Sequence, residues 1–212
     1  MNKITISYLT MRKIIGIVAI AFPILLILGA LMSGYAPMQP SLSQYYWTTS
    51  GDIFVGMLVT FGIFLLAYNG YDKKDRALTM IAGIAMLFVA FFPCEGSDTA
   101  NYLFTFLTPK ITAMVHYSMA ITTFSFMGFM LFFQFTKTSG NLSNNKAKRN
   151  KIYKISAIII WASILCMGIV KLIPGVFEAT NSFRLFFWLE SIVLWAFGTS
   201  WLVKGEVILK DI

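Results

Sequence analysis

Charge is what this chain has least of. Lys, Arg, Asp and Glu make up 12% of its 212 residues, about half the share of an ordinary soluble domain. That is too little polar surface for a water-solvated enzyme core. Histidine occurs once and cysteine twice, so HxxxH, HExxH and CxxC are all missing. Without those ligand pairs no metal site is expected, since structural zinc wants four ligands. A GxSxG nucleophile elbow is missing too. No hydrophobic run alternates with a period of two, which argues against a transmembrane barrel. What the chain has is apolar bulk: 58% hydrophobic residues, 16% aromatic and a mean hydropathy of +0.73. That aromatic content excludes disorder, and the chain reads as an integral membrane protein.

A helix needs about 20 apolar residues to cross the hydrocarbon core. Six stretches qualify: residues 14–32, 53–68, 77–92, 111–135, 155–173 and 185–203. The third and fifth are stopped by Pro93 and Pro174. The expected fold class is therefore all-α, a six-transmembrane-helix bundle occupying residues 1–212 as one domain. The first stretch exceeds the roughly 7–15 apolar residues of a signal peptide and is read as a retained helix. None of the six carries a mid-membrane lysine, so no retinal-type cofactor is expected, nor any other.

Basic residues give the orientation. Lys3, Arg12 and Lys13, then Lys73, Lys74 and Arg76, then the run from Lys137 to Lys154, then Lys204 and Lys210 all fall on one side. Of the 17 lysines and arginines, only Lys110, Lys171 and Arg184 fall on the other. By the positive-inside rule both termini are cytoplasmic, and a bacterial inner membrane is the expected location. The net charge of +8 then means contact with anionic lipid rather than nucleic acid. Residues 137–153, with Thr-Ser-Gly-Asn-Leu-Ser-Asn-Asn at their start, read as a flexible polar linker.

Ionisable groups inside spans are costly and suggest function. His116 and Glu190 each lie five residues into a span that starts outside, roughly 8 Å deep at 1.5 Å per residue. Asp52, Glu95, Asp98 and Arg184 belong to the same face. Residues 33–52 are polar and aromatic there, with Tyr45 and Tyr46 at their centre. Two readings stay open for this set: polar groups that hold the bundle together, or an outward pocket lined by His116, Glu190, Asp52, Glu95, Arg184, Tyr45 and Tyr46. The loop itself reads as an interfacial re-entry segment or as a lid. A serine–histidine–acid arrangement through Ser43 or Ser118 lacks any local nucleophile signature. Cys94 and Cys166 are expected to be free thiols. Gly16, Gly56 and Gly62 permit close helix approach and suggest a homo-oligomer.

Several short stretches carry a family likeness: Tyr45-Tyr46-Trp47-Thr48, Asp52-Ile53-Phe54-Val55-Gly56, Gly70-Tyr71-Asp72, Phe92-Pro93, His116-Tyr117 and residues 197–206. In these the chain resembles small bacterial six-helix membrane proteins of a domain-of-unknown-function family, in a DRAM-like grouping. That resemblance implies six helices and no established activity. A remoter likeness is to ceramidase-like membrane hydrolases, which hold zinc with three histidines; this chain has one. The function expected from the residues is binding of a lipid headgroup or small polar ligand in the outward pocket. The alternatives are a membrane-embedded lipid hydrolase, metal-dependent or not, and a proton-coupled small-molecule carrier. Whether the chain is an enzyme is left open.

Overall fold

A computed structural model describes residues 7–34, 36–70, 72–96, 103–104, 106–138 and 143–210. Helix α1 spans Tyr8–Met32. A 3-10 helix, Ser43–Trp47, follows it, then α2, Gly51–Ala67, and α3, Lys73–Phe91. Helix α4, Pro109–Phe129, ends in a π-helical turn, Met130–Gln134. Helix α5 is Asn144–Leu172, α6 is the short Val176–Asn181, and α7 is Leu185–Lys204. No strand occurs among the described residues.

Local sequence starts and stops these helices. Ser7, Asp72, Thr108 and Ser143 each accept a backbone N–H of the first turn of α1, α3, α4 and α5, which satisfies donors the helix cannot. Pro109 follows Thr108 at a position where its missing N–H costs nothing. At the other ends Phe92 (φ −102°, ψ 110°) and Ile173 (φ −93°, ψ 115°) are extended, because each precedes a proline that disfavours helical geometry. The linker expected over 137–153 is largely helix. Helix α5 begins at Asn144, capped by Ser143, so its lysines and Arg149 ride on a continuous helix rather than a loop. Tyr71, Asp98, Asn141 and Leu142 lie outside the described residues.

The long helices alternate in direction and close a ring in the order α1, α2, α3, α4, α5, α7, with α7 returning to α1. One end carries Arg12 and Lys204, the other Glu190 and the 3-10 helix. Two glycine seams bring neighbours close. A Cβ on Gly198 would sit 2.8 Å from the Gly16 carbonyl, and one on Gly83 2.9 Å from that of Gly62. Gly16 and Gly62 therefore serve contacts within the chain. Gly56 alone of the three expected oligomer glycines meets nothing within 4 Å.

Along the ring's axis runs a ladder of aromatic rings. Phe54, Phe22, Phe61, Phe197 and Trp201 follow one another with centroids 5.8, 6.4, 6.4 and 5.8 Å apart. Tyr68, Phe135 and Tyr153 close it at the Arg12 end. Outward, α1 shows Ile17, Ile24, Leu28 and Leu31, and α5 shows Ile158, Leu165 and Leu172. A face of exposed apolar side chains this long has no place in water. Four helices, α1, α4 with its π turn, α5 and α7, are long and apolar enough to cross a membrane. Helix α2 is apolar but shorter, and α3 opens on Lys73, Lys74, Asp75 and Arg76.

Candidate functional site

At the Glu190 end, three helices present matching stripes. Tyr117, Ile121 and Phe124 on α4, Ile164 and Lys171 on α5, and Phe186 and Glu190 on α7 recur at helical spacing. They line a half-open cavity of about 500 Å³. Its walls are apolar: Ile121, Phe124, Ile164, Met167, Phe177 and Phe186. Its polar side chains are few: Ser41, Ser43, Gln44, Glu95, Tyr117, Lys171 and Glu190. A second, small cavity of about 40 Å³ lies beyond Ser43 and Glu190, and Thr123 lines it as well.

The polar floor is built from a broken helix and a folded-back loop. Pro93 ends α3, and the carbonyl of Phe92 accepts His116 Nδ1 at 2.7 Å. A carbonyl only accepts, so Nδ1 carries the proton and Nε2 of the neutral ring is an acceptor. Ser43 Oγ lies 2.9 Å from that Nε2. Glu190 Oε1 is 3.4 Å from the same hydroxyl, and Oε2 accepts the Leu42 N–H at 2.5 Å. His116 is fully buried. His116 and Glu190 therefore share one serine rather than a direct bond.

The loop carrying Ser43 is tied down from α3. Cys94 Sγ donates to the Ser43 carbonyl at 3.3 Å, Trp47 Nε1 donates to the Cys94 carbonyl at 3.2 Å, and Gln44 Nε2 donates to the Glu95 carbonyl at 2.6 Å. A side chain on Gly96 would run into the Trp47 indole, 2.0 Å from its Nε1. Burial pushes the Cys94 thiol up to about 12, and the Glu190 charge pushes the same way. Both cysteines are free.

Of the residues expected to form the pocket, Glu190 and Glu95 line it, and His116 lies behind Ser43. Tyr45 is wholly buried beside Phe187 and donates to the Pro37 carbonyl; burial pushes its phenol up, against that of an exposed tyrosine. Tyr46 packs edge-on against Trp47 and Phe54. Asp52 is exposed in the first turn of α2, where its charge suits the helix dipole. Arg184 caps α7 with φ +56° and donates to Asn181 Oδ1 at 3.2 Å. These four lie outside the cavity lining. The loop that carries Tyr45 and Tyr46 is folded into the bundle end, with Leu42 and Tyr45 buried.

Sequence reasoning left Ser43 as one of two serines, Ser118 being exposed on α4. It missed Thr123, which was legible: it stands seven residues after His116, on the same helical face. It missed the Phe92 carbonyl as well, although Phe92-Pro93 marks a broken helix. Among the described residues no group of three or more His, Cys, Asp or Glu is placed to hold a metal.

The fold defines an all-helical protein with four helices long and apolar enough to cross a membrane. Comparison with protein-family models, with curated proteins and with solved structures returns no match.

Proposed function

We propose that this protein is a six-span inner-membrane protein that binds a lipid-like amphiphile in the Glu190-end cavity, which faces outward. The observation that carries the reading is the cavity itself: about 500 Å³ of space with apolar walls and polar groups collected on one floor. Ligand sites take this form, apolar lining with few placed polar groups. An acyl chain lies along Ile121, Phe124, Ile164 and Met167, and its head meets Ser43 and Glu190. Lys171, held 3.9 Å from the centre of the Phe177 ring, stands at the cavity wall for an anionic part of the head.

Helices α2 and α3 complete the six spans, running antiparallel beside the four longer ones. Both termini are cytoplasmic in this reading, since the lysines and arginines crowd the Arg12 end. The aromatic ladder fills the axis, which favours a binding protein over a carrier with a central path. Membrane lipids are the partners, nucleic acid is not one, and Gly56 is the glycine left open for a homo-oligomer.

Filling the cavity tests this. Gly168 lines it, and a Cβ there meets nothing within 4 Å, so Gly168→Phe adds bulk at a position with room for it. Native mass spectrometry of the wild-type protein from membranes should show one retained amphiphile per chain, and G168F should lose it while keeping its melting temperature. Equal retention in G168F would refute the reading.

A further inference from the structure

We infer that Ser43 is a nucleophile activated by His116, and that the site cleaves the carboxylic ester of a long-chain amphiphile. This rests on the amphiphile-binding reading and assigns it a reaction. The geometry is that of a serine–histidine pair: Ser43 Oγ to His116 Nε2 is 2.9 Å, with Nδ1 locked on the Phe92 carbonyl at 2.7 Å. A nucleophile, a base in hydrogen-bond reach, and a third group orienting the base are the signature of an activated hydroxyl. Here a backbone carbonyl takes the orienting place. The Ser43 hydrogen has two acceptors to choose from, and the imidazole at 2.9 Å is nearer than the Glu190 oxygen at 3.4 Å.

Ser43 faces both cavities. On the large side the acyl chain has room. Tyr117 also lines that side, and its oxygen accepts the Glu95 N–H at 3.4 Å, so its own proton is left to donate to a developing oxyanion. On the small side the Thr123 hydroxyl is buried, 1% exposed, without a hydrogen-bond partner. Thr123, Ser43 and Glu190 give a space of about 40 Å³ three polar walls, enough for a single water. The electrophile is a carboxylic ester carbonyl, an uncharged group suited to a site whose serine stands between His116 and Glu190.

The steps balance. Ser43 Oγ bonds to the ester carbonyl carbon while its proton passes to His116 Nε2. The C–O bond to the alcohol breaks, and the alcohol leaves with that proton. Water then attacks the acyl-serine, gives a proton to His116, and the carboxylic acid departs as the proton returns to Ser43 Oγ. Glu190 is a positioning residue, holding Leu42 and with it the Ser43 backbone.

The test uses the full chain in detergent and a fluorophosphonate bearing a dodecyl chain, read by peptide mass spectrometry. The expected result is a single adduct on Ser43, formed at least about a hundredfold more slowly in His116→Gln, the low end of a general base's contribution. No adduct on Ser43, or equal rates in the two proteins, overturns the inference. Should H116Q fail to fold, the wild-type protein decides: labelling confined to Ser43 sustains it, and trace labelling spread over many serines overturns it. Amphiphile retention measured on the same sample separates the two readings. An unlabelled Ser43 in a protein that retains its amphiphile ends the catalytic inference and leaves binding standing. Loss of both ends both.

Discussion

The two ends of the bundle are built on opposite plans. At the Arg12 end the space between helices is filled. Trp201, Tyr68, Phe135 and Tyr153 interlock with centroids 5.1 to 5.4 Å apart, and cations lie on the rings: Arg12 over Tyr68, Lys204 over Phe135, Lys146 over Tyr153. Arg12 donates to the Tyr68 hydroxyl at 3.3 Å and reaches the Lys204 carbonyl at 3.5 Å. Asp75 is buried there too, and Lys137, three residues past the π turn, lies 3.5 Å from its carboxylate. At the Glu190 end the helices spread around a hollow, and the polar groups face it. One end uses its aromatic residues as a plug and its charges as clasps; the other leaves room for something that is not protein. A chain that spends its bulk on one end and a void on the other has its stability and its binding in different places.

The sharpest way to break that comparison is to cut a large side chain at each end. Trp201→Ala should cost about 3–5 kcal/mol, the usual toll for emptying a buried tryptophan site. Ile121→Ala, at the cavity wall and already 54% exposed, should stay within about 0.5 kcal/mol. Melting temperatures in one detergent check both, and similar shifts would mean the two ends are not differently packed. A smaller effect concerns the tie behind Ser43. With its thiol pushed up to about 12, Cys94 holds almost no thiolate at pH 8, so iodoacetamide should leave it unmodified in the folded protein and modify it after denaturation. Prompt alkylation of folded protein at Cys94 would show that the loop over the cavity is not tied as described.

The smallest expected effect is at the Arg12 end. Asp72 caps α3 and pairs with Lys137. That bond to Lys137 and the capped N–H groups hold its carboxyl below the ordinary range. For Lys137, desolvation pulls downward, but the bonds to Asp72 and the charge of Asp75 win and raise it. A depressed carboxylate gives stability that is full above its unfolded value, about 3.9, and is lost as pH falls through the folded one. Asp72→Asn keeps a capping side chain and removes the charge. The gap in melting temperature between wild type and D72N should be constant near neutrality and close below about pH 4. A gap that persists at pH 2 would show that the stabilisation does not come from the charge of Asp72.

Much of this architecture was legible because hydrophobic runs, prolines and caps are local features. All six apolar stretches are helices, and both proline stops hold. The start of α5 was not legible: a run of Asn and Lys has the composition of a loop, and only Ser143 at its N-cap marks a helix. For the candidate site, the matching depths of His116 and Glu190 placed both at one end of the bundle, where each approaches Ser43. What joins them did not show, because Ser43 arrives on a segment whose fold depends on Trp47, Cys94 and Gly96, contacts made across the chain. Tyr46, Asp52 and Arg184 share the end and the chemistry of the pocket residues, and only side-chain direction excludes them.

The π turn of α4 has a consequence for length variation. Phe135 N–H reaches back five residues to the Met130 carbonyl at 3.0 Å, one residue more than an α-helical turn spans. Such a turn is a helix that has taken up a single extra residue in one widened turn, so the residues after it keep the face they would otherwise lose by about 100°. Removing one residue among Met130–Gln134 restores the plain helix. His116, Ala120 and Thr123, which precede the turn, keep their face, and Phe135, which follows it, keeps its place against Trp201. A chain one residue shorter in this segment would therefore keep both the cavity and the plug, and a chain one residue shorter anywhere between Thr123 and the turn would lose their alignment.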